Sequence, residues 1–160
     1  FSEDLANISI GDKWGCIDKE GRMVINPQSD EPIFYSEGLA PIKVSNKWGY
    51  IDKTMNYIIP LTYRAAGGFS DGLASVLIGE HANICFIDKK GQVVIKPQID
   101  FAFNFVNGLA PARLNGKYGF IDMRGDFVIA PKYDEAFSFK NGLADVEINN
   151  KWGYIDVTGK

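Results

Sequence analysis

Few side chains in this sequence could carry out catalysis. The single histidine, His81, lies in the segment 79–83 and has no evident cysteine, serine or carboxylate partner in its sequence context. The two cysteines, Cys16 and Cys85, show no metal-binding or redox spacing, and we interpret both as small apolar residues that are buried or half-buried. We therefore expect a protein that is not an enzyme and needs no cofactor.

A regular series of aspartates is the one candidate for a metal site. The series consists of Asp18, Asp52, Asp88, Asp122 and Asp156. Glycine follows three positions later in four copies, at Gly21, Gly91, Gly125 and Gly159. Calcium prefers about six to eight oxygen ligands, usually from several residues of one loop. An aspartate before a glycine is more typical of a turn in which the carboxylate accepts backbone N–H groups. We predict structural turns and no metal, with Asn56 in the left-handed position of the second copy.

Aromatic residues recur in two columns just before these aspartates. The candidate binding residues among them are Trp14, Trp48, Tyr50, Tyr118, Trp152 and Tyr154, and Phe120 shares their face. One interpretation, which we favour, is that they pack between adjacent repeat units, since repeats must bury their faces against neighbours. The other is an exposed stripe that contacts a partner, because aromatic side chains are enriched at interfaces and stack on sugar rings or extended peptides.

Both columns belong to a longer repeat. Its units start at Phe1, Tyr35, Phe69, Phe105 and Phe139, at steps of 34, 34, 36 and 34 residues. We divide the single array 1–160 into units 1–34, 35–68, 69–104 and 105–138 and a partial unit 139–160. Because the array stops within a unit and the chain opens at Phe1 rather than Met, we expect the natural protein to extend further.

The first half of each unit predicts a β-hairpin. Apolar residues alternate with others at Ala40, Ile42 and Val44, which is typical of a half-buried strand. A two-residue turn follows at 45–46, and the Asn-Gly pair at 115–116 is a strong signal for a type I′ turn. This turn pairs Ile42 with Gly49, where we expect a side chain from a neighbouring unit to fill the space.

The second half of each unit predicts one firm strand and a short one. The firm strand, such as 57–59, ends at a proline, and the return segment, such as 133–139, supplies the short fourth strand. The product is an all-β tandem array of three- or four-stranded meanders. It could be an open twisted superhelix or close radially as a propeller. Propeller repeats usually run ~40–50 residues, so the shorter unit favours the open array.

Several short motifs recur in the same order along the chain. They are Lys-Trp-Gly-Tyr-Ile-Asp, a glycine, Val-Ile-x-Pro, Tyr-Asp-x-Ala and Phe-Ser-x-Gly-Leu-Ala, and together they resemble the WG repeat (KWG repeat) family of bacterial proteins over essentially all 160 residues. The third unit departs from the pattern with Ile84-Cys85 in place of Trp-Gly. The resemblance implies a repeat scaffold, often a module of a larger protein, without general catalytic residues.

Composition narrows the range of partners. The net charge is −3 with no block of like charges, which argues against a nucleic-acid surface, since such a surface needs clustered Lys and Arg. No run approaches the roughly eighteen apolar residues of a membrane helix, and the chain's start does not resemble a signal peptide. Cytoplasmic and cell-envelope locations therefore both stay open.

Two hypotheses of function remain. The first is a protein–protein interaction module of a larger bacterial protein, whose partner binds the loops and edges of the array, since repeat arrays present long surfaces. The second is a carbohydrate- or cell-envelope-binding module that uses the aromatic stripe. Neighbouring repeats of the same array are partners in either case.

Overall fold

The computed structural model describes residues 2–79 and 84–160; Phe1, the start of the first predicted unit, and His81 lie outside them. The described residues form seventeen β-strands and no helix. The strands are β1 Ala6–Ile10, β2 Lys13–Ile17, β3 Met23–Ser29, β4 Ala40–Val44, β5 Lys47–Ile51, β6 Tyr57–Tyr63, β7 Ala65–Ala66, β8 Ala74–Leu77, β9 Ile84–Ile87, β10 Val93–Ile99, β11 Phe101–Ala102, β12 Leu109–Leu114, β13 Lys117–Asp122, β14 Phe127–Tyr133, β15 Glu135–Ala136, β16 Leu143–Ile148 and β17 Lys151–Asp156.

These strands make five antiparallel sheets in chain order, within the described ranges. Sheet 1 is β1-β2-β3, sheet 2 is β4-β5-β6, sheet 3 is β7 to β10, sheet 4 is β11 to β14 and sheet 5 is β15-β16-β17. The short strands β7, β11 and β15 are the predicted fourth strands, and each pairs with the strand that follows it. In sheet 2 the equivalent position is Pro32, which has no N–H to donate to a ladder. The all-β class and the tandem meanders are thus confirmed.

The hairpins adopt the predicted register. In β4 and β5, Ala40 pairs with Ile51 and Ile42 with Gly49. The connecting residues Ser45 and Asn46 have φ of 49° and 62°, both positive as a type I′ turn requires. Both residues of the turns at 115–116 and 149–150 also have positive φ, whereas in the turn of the first hairpin only Gly11 does.

The space at Gly49 is closed by the protein's own sheet. A Cβ on Gly49 would lie 2.6 Å from the Ile59 carbonyl oxygen and 2.8 Å from the carbonyl carbon of Pro60, both in β6. The register of β5 and β6 shifts at this point, which brings the third strand toward the glycine. The expectation that a neighbouring unit's side chain fills this space is therefore wrong, because the backbone of the next strand already occupies it.

Successive sheets pack face to face, with the core in four layers between them. The layer between sheets 2 and 3 is representative: one side supplies Leu39, Tyr50, Ile59 and Tyr63, and the other supplies Phe69, Ala74, Val76, Cys85 and Ile87. The other three layers repeat this pairing of residue types. Each sheet is too thin to bury both of its faces alone, so its stability depends on the sheets before and after it.

Hydrogen bonds along one edge also join consecutive units. Ser2 Oγ donates to the Tyr35 carbonyl at 2.5 Å, and Ser36 and Ser70 donate to the equivalent carbonyls of the units after them at 2.6 Å. At the fourth junction the serine is replaced by Val106, which has no hydroxyl. This serine ladder was not predicted. Among the described residues, no helix is long and apolar enough to cross a membrane.

Candidate functional site

The reactive side chains are poorly placed for chemistry. Cys16 and Cys85 are both buried. Burial raises the pKa of the Cys16 thiol to about 11 and also raises the pKa of Cys85, so both stay protonated at neutral pH and are weak nucleophiles. Within residues 2–79 and 84–160, no group of three or more His, Cys, Asp or Glu side chains could hold a metal ion.

The recurring aspartates each close a turn. In every copy one carboxylate oxygen accepts the backbone N–H groups two and four residues later; for Asp52 these are Thr54 at 2.8 Å and Asn56 at 2.9 Å. The same pattern holds at Asp18, Asp88, Asp122 and Asp156, and Gly21, Gly91, Gly125 and Gly159 all have positive φ.

The second turn differs from the prediction. Met55, which occupies the glycine position, has a φ of 71°, whereas Asn56 does not have positive φ. Asn56 instead donates its side-chain N–H to Asp52 Oδ2 at 2.9 Å. This bond is the main reason why the pKa of Asp52 falls to about 2. The expected left-handed conformation of Asn56 is therefore wrong. The turn requires positive φ at the third residue after the aspartate, and here that residue is Met55.

The aromatic columns divide into buried and exposed members. Tyr50 is fully buried between sheets 2 and 3, and its hydroxyl donates to the Gly67 carbonyl at 2.8 Å. Tyr118 is 6% exposed, so neither of these two candidate binding residues is free to contact a partner. Trp14 and Trp48, in the central strands β2 and β5 of their sheets, are partly buried. Trp152 and Tyr154 are 54% and 70% exposed, since none of the other described sheets packs on their side of sheet 5.

A groove of about 460 Å³ lies beside Trp48. Pro32, Phe34, Pro41, Trp48 and Gly68 supply its walls. Phe34 is 61% exposed, while Tyr35 and Phe69 lie buried beneath the groove. Polar groups of Glu31, Ser36, Ser70 and Asn104 also line it. We call this site the Trp48 groove.

Two charged side chains, Lys43 and Glu31, lie near Trp48. Lys43 Nζ lies 5.7 Å from the centroid of the Trp48 ring and 3.2 Å from Glu31 Oε1. The cation thus lies near the indole, which stays only partly buried. Such a site offers an apolar surface with a few polar groups at its rim, the usual composition of a binding site.

A second aromatic surface joins strand and loop residues of sheets 4 and 5. Its members, Phe101, Phe103, Phe137 and Trp152, form successive ring contacts at centroid distances of 5.0, 6.2 and 5.7 Å. We call them the Phe137 row. Beside it, the Arg113 guanidinium lies 6.0 Å from the Phe101 ring, and its Nε is buried without a hydrogen-bond partner in the described part of the chain.

Sequence reasoning missed the linker residues of both surfaces. Phe34 stands between sheets 1 and 2, and Phe103 and Phe137 stand in the loops that follow β11 and β15, where no periodic pattern indicates which side chain faces solvent. The available signal was a large apolar residue near a proline or within a return segment. That signal does not separate exposed from buried positions, since Ile33 next to Phe34 is 1% exposed.

The fold is similar to that of two solved lyase structures. A virginiamycin B lyase from Staphylococcus aureus aligns with a TM-score of 0.56 at 17% identity, over 99% of this chain and 66% of that chain. A streptogramin B lyase aligns with a TM-score of 0.52 at 17% identity, over 99% of this chain and 64% of that one. The chain therefore spans slightly less than two thirds of each lyase, and at this identity the likeness concerns the fold alone.

Sequence comparison identifies the family. No curated protein matches the chain. Four successive segments, 14–48, 48–80, 86–118 and 118–152, match one family model, described as WG containing repeat. These segments cover most of the 160 residues, and they confirm the resemblance that the Trp-Gly motifs indicated. The chain belongs to the WG containing repeat family.

Proposed function

We propose that this chain is a non-catalytic scaffold that binds an extended segment of a partner protein in the Trp48 groove, as a module of a larger bacterial protein. The observation that carries the proposal is that a partly exposed Trp48 and a 61% exposed Phe34 line the same groove of about 460 Å³. Large apolar side chains exposed together on a folded surface are a feature of interaction sites.

The shape and chemistry of the Trp48 groove favour an extended peptide. Pro32 and Pro41 line the groove together with the indole and provide rigid apolar surface suited to aliphatic or proline side chains. The polar groups of Glu31 and Asn104 are available to backbone N–H and C=O groups of such a segment. Catalysis has no support in this groove, because no acid–base pair or reactive thiol lines it.

Selection of peptides from a random display library tests the proposal. Peptides that bind the wild-type chain should lose at least about tenfold in affinity to Trp48→Ala and Phe34→Ala, since aromatic anchors at interfaces dominate binding. Trp152→Ala is the matched control, because it removes an exposed tryptophan outside the groove. Selected peptides that bind Trp48→Ala as tightly as the wild type would contradict the proposal.

Carbohydrate binding is the second candidate function. The specific observation in its favour is the Trp48 ring beside the polar groups of Glu31, Lys43 and Asn104, since sugar sites combine a stacking ring with hydrogen-bonding groups. This candidate predicts that soluble oligosaccharides shift the tryptophan emission and that Trp48→Phe removes the shift, whereas Trp14→Phe retains it. An unchanged emission spectrum with every glycan tested would count against it.

A further inference from the structure

A second groove, of about 350 Å³, is lined by residues of sheets 3 and 4. Small and aliphatic residues of sheet 3 supply most of its surface, and two residues where the chain enters sheet 4 complete it. The residues that matter here are Ala65, Gly67, Leu77, Ile84, Asp100 and Phe101. We call this site the Gly67 groove. An apolar cavity of about 150 Å³ already accepts a benzene ring, so the Gly67 groove has room for an aromatic side chain.

Sheet 4 carries large side chains at the same positions. The repeat and the strand pairing align Ala65 with Phe101, Gly67 with Phe103, Leu77 with Arg113 and Ile84 with Tyr118. In sheet 4 the Phe101 and Phe103 rings lie 5.0 Å apart, and the Arg113 guanidinium lies 5.9 Å from the Tyr118 ring. Sheet 3 has neither these rings nor this cation. The Gly67 groove is therefore the place that aromatic rings and a positive charge occupy in the next sheet.

Asp100 adds an exposed carboxylate to the Gly67 groove. At the equivalent position in sheets 1 and 4, Asp30 pairs with Lys13 and Asp134 pairs with Lys117. The third unit has no lysine at the corresponding sequence position. Among the described residues, no side chain forms an ion pair or hydrogen bond with the Asp100 carboxylate. Charge complementarity therefore favours a ligand that brings a cation to this carboxylate.

The Gly67 groove adjoins the Trp48 groove. Ala66 lines both of them. A Cβ on Gly67 would lie 3.7 Å from Asn104 Oδ1, and Asn104 is part of the Trp48 groove. An extended segment advances by about 3.3 Å per residue, so one segment of a few residues can contact both grooves.

We propose that the Gly67 groove binds an aromatic side chain that stands next to a lysine or arginine in the partner's extended segment. The ring packs against Phe101 and Ile84, and the neighbouring cation pairs with Asp100. The choice of a peptide segment rests on the function proposed above for the Trp48 groove. The preference for a ring and a cation rests on the comparison of sheets 3 and 4 alone.

An NMR titration of the isotope-labelled chain with phenethylamine, a phenyl ring joined to an ammonium group, tests the groove itself. The amide signals of Gly67 and Ser75 should shift and saturate at about millimolar concentrations, as expected for so small a ligand. Its neutral analogue 2-phenylethanol should bind about two- to fivefold more weakly, since an exposed ion pair adds little. Asp100→Asn should cause the same loss for phenethylamine, whereas Asp145→Asn, which removes an exposed carboxylate outside the groove, should cause none.

Two variants give the groove the side chains of sheet 4. Ala65→Phe supplies the ring of Phe101, and Leu77→Arg supplies the guanidinium of Arg113. Each should weaken phenethylamine binding at least about tenfold, because the first occupies the space for the ring and the second places a like charge beside the ammonium group. Glu135→Phe is the matched control, since it makes the same change at the equivalent position of sheet 5 and should leave binding unchanged. Urea midpoints show which variants are folded, and either filling variant is sufficient for the test.

Peptides selected from the random display library distinguish this inference from the function proposed above. They should carry an aromatic residue next to lysine or arginine, and Ala65→Phe should weaken their binding at least about tenfold. Peptides that require Trp48 but bind Ala65→Phe as tightly as the wild type would support the Trp48 groove and overturn this inference. Peptides that lose affinity to Ala65→Phe but not to Trp48→Ala would support the Gly67 groove and overturn the proposed function. The inference also fails if phenethylamine shifts no amide signal, or if it binds the filled variants as it binds the wild type.

Discussion

At the scale of single residues, the glycine of the Trp-Gly motif is set by backbone crowding. At Gly49 the neighbouring atoms belong to the main chain of β6, which cannot rotate away as a side chain could. At Gly153 no atom of the described residues, its chain neighbours aside, lies within 4 Å of the place that a methyl group would take, because no strand equivalent to β6 pairs with β17 in the described part of the chain. The same residue type in the same motif thus has a strict steric requirement in one unit and none in another.

Replacing this glycine with alanine in two units measures how strictly each unit requires a glycine there. Gly49→Ala should destabilise the protein by about 1–3 kcal/mol, since it forces a methyl group against the backbone of Ile59 and Pro60. Gly153→Ala should change stability by no more than about 0.5 kcal/mol. Urea unfolding midpoints of the two variants give the comparison, and equal midpoints would mean that β6 does not constrain Gly49.

The aspartate turns predict how stability depends on pH. The pKa of Asp52 is about 2 in the folded chain, chiefly because the Asn56 side chain donates to it, and an unfolded aspartate titrates near ~3.9. The folded pKa is the lower one, so the ionised carboxylate contributes stability that is fully present above about pH 4 and is lost as the pH falls toward about 2.

Asp52→Asn tests this dependence, because it keeps an acceptor oxygen but removes the charge. The wild type should be more stable than the variant near neutral pH, and the difference should shrink as the pH falls from about 4 to about 2. Urea midpoints at a series of pH values provide the measurement. A difference that is the same at every pH would show that the charge of Asp52 adds nothing to the fold.

At the scale of strands and sheets, stacking supplies most of the hydrophobic burial. The second aromatic column shows this clearly, because Tyr50 is fully covered by sheet 3 whereas Tyr154 on sheet 5 is 70% exposed. Tyr50→Ala should destabilise the protein by about 3–5 kcal/mol, as for other large-to-small changes in a core. Tyr154→Ala should change stability by no more than about 0.5 kcal/mol.

Thermal unfolding of the two tyrosine variants at low protein concentration provides the comparison, so that contacts between copies do not contribute. Tyr50→Phe adds a control for the hydroxyl bond to Gly67, whose loss should cost about 1 kcal/mol. If Tyr50→Ala and Tyr154→Ala unfold at the same temperature, then burial between sheets does not hold the array together.

Local patterns in the sequence determine much of each element. Alternation at Ala40, Ile42 and Val44 and the turn at 45–46 were enough to predict the register of β4 and β5, because hairpin pairing depends on neighbouring residues alone. The short fourth strands followed from the return segments. The approach of β6 to Gly49 could not be predicted, since a shift of register in the third strand leaves no mark on the alternation.

The candidate site was harder to predict for a physical reason. Period-two alternation assigns side chains to a face, but it does not indicate whether another sheet covers that face. Both faces of sheets 2, 3 and 4 are covered, so Tyr50 and Tyr118 are buried although their pattern also fits an exposed stripe. The exposed rings of Phe34 and Phe137 come from linkers, where no periodicity exists.

At the scale of the whole molecule, the array is open and its ends differ from its middle. Sheets 2, 3 and 4 have core layers on both faces, whereas sheets 1 and 5 have one layer each. The likeness to two lyases at 17% identity reflects this architecture and carries no information about activity. The exposed rings of Phe34, Phe137 and Trp152 lie where no sheet covers them in the described part of the chain.

This difference between ends and middle predicts a gradient of local stability. In an array whose units contact only their neighbours, an end unit opens by breaking one interface, while a middle unit must break two. Backbone amides of β8, β9, β12 and β13 should therefore exchange with deuterium more slowly than those of β1, β2, β16 and β17. Hydrogen exchange followed by mass spectrometry at low protein concentration measures the gradient. Uniform exchange across all five sheets would contradict the gradient. It would mean that the chain opens as one cooperative unit, and that a sheet buried on one face is as well protected from exchange as a sheet buried on both.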